Sequence, residues 1–587
     1  MIFGRHINIY YWKYLHYMIL GIIALIFVDY FQLEIPRIIG EIVDGLDKST
    51  LTVDSLAEYM KMMLVIIGVM FGGRFLWRYC IFGNGTRIQT DIREKMFAKS
   101  LKLPQEYYQT NKVGALMAYF TSDLMAVRMS FSRGTVLTID FLFLGGLALY
   151  KMFNINVYLT LASVVPMIIV AIISSVIAKQ MRKKFLARQN SYADLSDFTQ
   201  ESFSGLSVIK AFVKEGKELL AFRWKNKDYR DKNIDFVRSS TLLNILVGAF
   251  ISSINLIIIL FGGYFVYQGK MLGGEEVLSI GQLTEYISLF GSLTWPMMAI
   301  GQLINLRSQA KASLERVNTI LDAEETVKDA PDVVSNTSKQ GKISFKGLTF
   351  SYPGSSKPVL ENVTFDIEAG ESVGIIGRTG SGKTTLVDLL LRIYNIEPNQ
   401  LFIDDIDIMS LPLKEVRDEI AYVPQDNFLF SDTIRNNINF SSTAVDNKDV
   451  IKAAKLADVH ENISEFSLKY DTVLGERGVT VSGGQKQRIS IARALIKDAQ
   501  ILILDDSVSA VDTKTEEEIL TNLNKTRVGK TTILIAHRIS TIQNLDKIVL
   551  LDHGKVVAVG SHEELLENSK LYANMVLLQK LEDEVEA

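Results

Sequence analysis

Gly377-Arg-Thr-Gly-Ser-Gly-Lys383-Thr384 decides the reading of this 587-residue chain. It follows the apolar run Ser372–Ile376 and opens a stretch of helical spacing over 385–393. Strand, glycine-rich turn and helix thus come in the order that a phosphate-binding loop requires. The glycines let successive backbone N–H groups close around phosphate oxygens, and the start of the helix adds its partial positive charge. Gly377, Arg378, Thr379, Gly380, Ser381, Gly382, Lys383, Thr384 and Thr385 are therefore nucleotide-binding candidates. Lys383 would reach the β- and γ-phosphates, and Thr384 would ligate Mg²⁺. The bland alternative, a chance glycine-rich turn, does not account for both flanks.

Working outward, Ile501–Asp505 reads as a buried strand ending in a carboxylate, suited to hold Mg²⁺ through water. For Asp505 a plain capping residue is the lesser reading; Asp506 follows where a general base would face the γ-phosphate. His537 comes after a third strand-like run, Thr531–Ala536, and is placed to reach the γ-phosphate. From Lys342 to the end, short β-rich runs alternate with helical ones, which predicts an α/β domain (342–587) around a largely parallel sheet. Residues 322–341 are polar, contain Pro331 and read as a linker.

The first 321 residues are of another kind. Six windows, about 15–38, 58–82, 134–153, 156–178, 242–268 and 280–305, are apolar and long enough to cross roughly 30 Å of hydrocarbon as helices. The first is too long for a removable signal peptide and is read as retained. The long loops at 84–133 and 179–240 carry 22 Lys/Arg, whereas the turns near 41–56, 151–156 and 269–279 carry only Lys48, Lys151 and Lys270. Lys and Arg stay on the cytoplasmic side. The N-terminus (Arg5, Lys13) and everything after 305 are therefore expected in the cytoplasm of a multi-pass cell-membrane protein. Helical spacing through both long loops predicts membrane helices that continue into the cytosol, with short cross-helix tips at Gln109–Asp123 and Glu201–Glu218. Asp29, Glu34, Arg74, Arg78, Asp140 and Glu285 lie in or near the spans. Arg74 and Arg78 are close enough to a helix end to snorkel, while Asp140 and Glu285 lie deeper and face either a cavity or a partner. Pro166 and Trp295–Pro296 predict kinks. Phe261, Phe265, Tyr286, Phe290, Met297 and Met298 are candidates for an adaptable apolar pocket, though each alone reads first as a lipid-facing or helix-packing residue.

Composition narrows the classes further. The formal charge of −3 hides a basic first part, 34 Lys/Arg against 24 Asp/Glu in residues 1–320, and an acidic remainder, 29 against 42. One cysteine, Cys80, excludes a disulfide framework or a Cys-based metal site within one chain, and six scattered histidines argue against a multi-His centre. A 48% hydrophobic content excludes a disordered chain.

Together these residues resemble the ABC transporter family, and within it the exporter half-transporters. Phe350-Ser-Tyr352-Pro is similar to the aromatic loop that stacks on adenine. Gln425, in Val423-Pro-Gln-Asp, is similar to the glutamine near Mg²⁺ and the nucleophilic water. Val481-Ser-Gly-Gly-Gln-Lys-Gln487 resembles the family signature, with Ser482, Gly483, Gly484 and Gln485 as ATP contacts. Ser509–Asp512 resembles the D-loop, and His537 the switch histidine. Leu474-Gly-Glu-Arg477-Gly resembles the segment that contacts the membrane domains. The resemblance implies a helical six-span membrane domain with long cytoplasmic extensions, followed by an α/β, RecA-like P-loop ATPase domain with a helical subdomain. It also implies that two such domains clamp ATP between one P-loop and the other chain's signature. One loop and one signature per chain then require a second half-transporter as partner. The tips resemble coupling helices that pass the motion to the membrane half.

One position departs from the family pattern. Where Glu usually follows the strand-ending Asp, this chain has Asp506. A side chain one methylene shorter leaves the carboxylate about 1 Å short, enough to cost roughly 100-fold in rate. The expectation is a slow site on this chain's own loop, an intact signature lent to a partner, and hence a heterodimer; a homodimer in which Asp506 suffices is the alternative. The cargo class is amphipathic: drug-like, lipid or peptide. A channel or regulator is disfavoured by the absence of a regulatory insertion before Lys342. Six spans exclude a soluble nucleic-acid-associated ATPase. Import is disfavoured because importers carry these domains on separate chains, and peptide maturation because no peptidase domain precedes the first span.

Overall fold

The computed structural model describes residues 4–271, 278–441, 446–475, 478, 480–507 and 512–586. These divide into two compact units, Met1–Ala98 with Leu116–Asp322, and Lys99–Ala115 with Ala323–Ala587.

The first unit is helical. At 1.5 Å per residue, the 48 residues of Val53–Ser100 span about 72 Å, and the 57 of Glu215–Met271 about 85 Å, two to three times the thickness of hydrocarbon. Among the described residues five helical runs are long and apolar enough to cross a membrane: Leu15–Asp47, Val53–Ser100, Val113–Ile155, Glu215–Gln268 and Ile280–Leu321. The window 156–178 falls on the helix Val157–Ser204, of which Val157–Ile169 is the shorter apolar part among the described side chains. Only 11% of the apolar window in Val53–Ser100 is buried, and Ile67, Phe71 and Phe75 point outward. Such a surface belongs in lipid or against a partner rather than in water.

Several details differ from the sequence reading. The window 15–38 is not one helix: it breaks at Leu33, between Leu15–Gln32 and Glu34–Asp47. Pro36 is the cause, since its ring crowds the carbonyl four residues earlier and it has no N–H to donate. Lys151 braces the break, donating to the Leu33 carbonyl (3.0 Å) and pairing with Glu34 (2.7 Å). The first cross-helix is Gln105–Thr110, earlier than Gln109–Asp123, because Pro104 stops the incoming helix. The second, Leu206–Ala211, lies within the expected segment. Pro166 and Pro296 lie inside the helices Val157–Ser204 and Ile280–Leu321, each of which a kink would leave continuous. The run Val113–Ile155 contains two π-helical turns, Tyr119–Asp123 and Asp140–Leu144.

The six pocket candidates do not share one surface. Tyr286 and Phe290 are buried in a core with Leu33, Leu144 and Ile258, and the Tyr286 hydroxyl sits 2.7 Å from Ser163 Oγ. Phe261 and Met298 are exposed. Near the end of Glu34–Asp47, Asp44 caps the helix Ile280–Leu321, accepting from Gly281 N and Ser279 Oγ, both at 2.6 Å. Gly40 and Gly281 let the two helices touch: a Cβ on Gly281 would lie 2.1 Å from the Gly40 carbonyl oxygen.

The second unit holds two sheets. Its strands are β1 (Ile343–Phe350), β2 (Leu360–Ile367), β3 (Ser372–Gly377), β4 (Leu401–Ile403), β5 (Ile406–Asp407), β6 (Ile420–Val423), β7 (Ile501–Asp505), β8 (Thr531–Ile535), β9 (Lys547–Asp552) and β10 (Lys555–Gly560). One sheet has the order β2-β1-β4-β5 and is antiparallel; the other, β10-β9-β3-β8-β7-β6, is parallel apart from the β9–β10 hairpin. Every residue of β7 and β8 is buried, as fits strands covered on both faces. Alternation along β7 sorts the core. Ile501 and Ile503 face a cluster with Phe345, Phe365 and Leu386, while Leu502 and Leu504 face one with Ile434, Ala453 and Ile489. The parallel sheet thus brings the ends of β3, β7 and β8 to one edge, where the P-loop lies.

Candidate functional site

The loop after β3 has its shape because only glycine tolerates it. Gly380 and Gly382 take φ of +81° and +101°. A Cβ on Gly377 would lie 2.1 Å from the Leu551 carbonyl oxygen, and one on Gly382 2.6 Å from Leu360 Cδ2. The helix Lys383–Leu390 therefore starts two residues earlier than its pattern suggests, at a left-handed glycine cap.

Loop residues 379–385, with Gln425, Asp505, Asp506 and His537, line one cavity of about 200 Å³. Lys383 Nζ curls back onto the carbonyls of Gly377 (2.8 Å) and Arg378 (3.1 Å). Burial pushes its ammonium down, opposed by Asp505 and Asp506. Ser381 Oγ and Asp505 Oδ2 are buried without a protein partner among the described residues. Burial pushes the Asp505 carboxyl up, and a hydrogen bond from Thr384 works against it. A phosphate chain fits this wall: open donors around an ammonium whose present partners are its own loop's carbonyls. The Thr384 hydroxyl beside the Asp505 carboxylate is the oxygen set that suits Mg²⁺, to be completed by phosphate and water. Among the described residues no group of three His, Cys, Asp or Glu forms a metal cage of its own.

Asp506 sits at φ +47°, a strained backbone for a non-glycine residue and one found at functional sites. Its N–H donates to the Ile535 carbonyl (2.9 Å), Gln487 Nε2 donates to its carbonyl (3.2 Å), and Gln425 Nε2 approaches its Oδ2 at 3.4 Å. His537 is held through its backbone by Gln579, which donates to the His537 carbonyl (2.5 Å) and accepts from Ile539 N (2.7 Å). Gln579, on the last helix, and Gln487, whose amide reaches Asp506, had no assigned role from sequence: their partners lie 42 and 19 residues away, and no local motif marks those pairings.

Tyr352 reaches the site from the antiparallel sheet, its hydroxyl 3.0 Å from Thr385 Oγ1, with its ring in edge contact with Phe350 and Tyr394. Ser482 caps the helix Gly483–Leu495 in a reciprocal pair with Gln485. Asp512 caps Thr513–Thr526, its carboxyl held low by the Thr515 N–H. Ser482, Gly483, Gly484, Gln485 and Asp512 do not line the P-loop cavity. Glu476, Arg477 and residues 509–511 lie outside the described residues.

The chain is 34% identical over 572 residues to the probable multidrug resistance ABC transporter ATP-binding/permease protein YheI of Bacillus subtilis, covering 97% of this chain and 96% of that one. The chain belongs to the ABC transporter family. Its residues 18–297 match the model for the ABC transporter transmembrane region, and 360–509 the ABC transporter model. An ATP-dependent lipid A-core flippase of Syntrophus aciditrophicus is 33% identical over 90% of this chain and 87% of its own. A solved bacterial Atm1-family ABC exporter with ATP bound superposes with a TM-score of 0.78 at 25% identity, covering 97% of this chain and 99% of that one. The ABC chain here thus has the half-transporter architecture, a helical membrane domain and an ATPase domain in one polypeptide. It is a multi-pass membrane protein whose ATPase is coupled to transport. The family places that ATPase on the cytoplasmic side.

Proposed function

We propose that this chain exports amphipathic compounds, drug-like or lipid, by alternating access, as one half of an ABC heterodimer whose own P-loop site is slow. The domains run 1–321, 322–341 and 342–587, with six spans. The observation that carries the reading is Asp506 against an otherwise complete site: Lys383, Thr384, Asp505 and Gln425 share one cavity, but the carboxylate expected to polarise water is one methylene short. Lys383 and the loop amides hold the phosphates, Tyr352 the adenine side, and Ser482 with Gly483, Gly484 and Gln485 closes the site of the opposite chain, joined by Asp512. Thr384, Asp505 and Gln425 would hold Mg²⁺, which supplies charge stabilisation at the phosphoryl oxygens. His537 orients on the γ-phosphate, steadied by Gln579.

Amphipathic cargo is supported by the names of YheI and of the flippase and by a cavity of about 490 Å³ in the membrane unit. Met125, Met129 and Leu137 give it adaptable apolar walls, and Arg133 and Gln302, hydrogen-bonded at 2.7 Å, a polar end. The Gln105–Thr110 tip packs within the ATPase unit, Gln109 Nε2 donating to the Tyr394 hydroxyl (2.8 Å), which suits a coupling element. A homodimer with a competent Asp506 is the second reading. ATPase assays on the chain alone, on Asp506→Glu and on the chain with a candidate partner subunit separate them. A slow chain that Asp506→Glu accelerates supports the slow site; fast turnover by the unaltered chain alone contradicts it.

A further inference from the structure

Two acids are buried in the membrane bundle and play no part in the nucleotide chemistry. Asp29, on Leu15–Gln32, is 3% exposed, and Asp140, opening a π-helical turn, is 6% exposed. Asp140 has a donor, Trp295 Nε1 at 2.7 Å. Asp29 Oδ2 is buried with no hydrogen-bond partner among the described residues. The elements packed against its helix bring few charges: Val53–Ser100, in contact at Gly21 and Gly73, contributes Arg74 and the π-helical turn contributes Asp140, whereas Asn8–Lys13, Glu34–Asp47 and Arg133–Ile139 contribute none that acts on Asp29. Arg74 is itself exposed. Asp29 thus faces Asp140 and one exposed cation, and both acids ionised would leave an excess negative charge where hydrocarbon and packed helices make a bare carboxylate costly.

The ligand that removes that charge must be small. Helices Leu15–Gln32 and Val53–Ser100 touch on the N-terminal side of Asp29, at Gly21 and at Val28. A Cβ on Gly21 would lie 2.7 Å from Ile81 Cγ1, and one on Gly73 2.6 Å from Val28 Cγ2. The Asp29 carboxyl is itself almost wholly enclosed, with one oxygen left unpartnered among the described residues. A proton fits.

We propose that Asp29 is a proton-binding site inside the membrane bundle, and that the transport rearrangement exposes it and exchanges its proton with water; the second clause rests on the export reading above. In the exchange the O–H bond breaks, the electron pair stays on the Asp29 oxygen, and the proton passes to water; no oxidant or co-reactant takes part. The π-helical turn at Asp140 is the element beside it with a residue of slack to give up, a feature common at functional sites.

Infrared difference spectroscopy of the full-length assembly in lipid nanodiscs tests this, comparing wild type, Asp29→Asn and Asp140→Asn in H₂O and D₂O. Asn is neutral and matches the protonated acid in size, so the fold is retained. The expected result is a carboxylic-acid C=O band, D₂O-sensitive at neutral pH, present in wild type and Asp140→Asn and absent in Asp29→Asn. Its intensity falls when the wild type is trapped with ATP and vanadate. The same band in Asp29→Asn, or no such band in the wild type, overturns the site. A band unchanged on trapping, in a sample that binds a fluorescent ATP analogue, overturns the exchange. Failure to bind the analogue contradicts the transport reading instead, while the nucleotide-free spectra still decide the site.

Discussion

Gly382 closes the P-loop at φ +101°, and a methyl there would meet Leu360 Cδ2 at 2.6 Å. Gly382→Ala is expected to weaken binding of a fluorescent ATP analogue by at least about tenfold while the ATPase unit stays folded; unchanged affinity contradicts the role given to the loop. On the helix that follows the loop, Lys383–Leu390, burial pushes the Asp388 carboxyl from 3.8 up to about 6, with the Asp505 charge adding to it. Between about pH 4 and 6 the folded chain then holds a proton that the unfolded chain has released, so this residue's contribution to stability falls as pH rises through that window. The difference in melting temperature between wild type and Asp388→Asn should decline from pH 4 to 6 and level off above it. A difference independent of pH contradicts the shift. Lys383, Thr384 and Asp505 were legible because the chemistry of phosphate dictates their spacing. Gln487, Gln579 and Asp388 were not, because each is set by packing between segments distant in the chain.

Elements were legible where composition dominates. Apolar windows marked the membrane helices, and β-branched runs marked the strands of the parallel sheet. Missed were features of geometry without composition: the break that Pro36 forces at Leu33, the cross-helix at Gln105–Thr110, and the π-helical turns, whose extra residue has no sequence signal. The contact of Glu34–Asp47 with Ile280–Leu321 is the most specific of these. Gly281→Leu should separate the two helices and strip Asp44 of the backbone donor it caps. The expected outcome is a drop of several degrees in melting temperature in detergent, on the scale of a 1–3 kcal/mol packing loss, with ATP affinity retained; an unchanged melting temperature contradicts the close approach. In the same unit, Gln302→Ala removes the amide that holds Arg133. If the cavity takes cargo, this variant shifts the KM for transport more than basal ATPase; an equal fall in both points to a structural role.

The basic membrane part and acidic ATPase part carry opposite formal charge, +10 over residues 1–320 and −13 over the rest. Positive charge beside the membrane is the expected topological signature, and the negative balance keeps a cytoplasmic ATPase soluble. On the proposed reading, one P-loop and one signature helix in each chain make the nucleotide site a property of a pair of chains, and coupling then means that ATP held between them drives the membrane helices. Inside-out vesicles carrying the chain with its partner subunit test that claim most directly, by following accumulation of a lipophilic fluorescent dye. The account predicts ATP-dependent accumulation that is lost in Lys383→Ala and in Ser482→Arg, each of which removes one side of a clamp. Accumulation that persists without ATP, or in both variants, would contradict it.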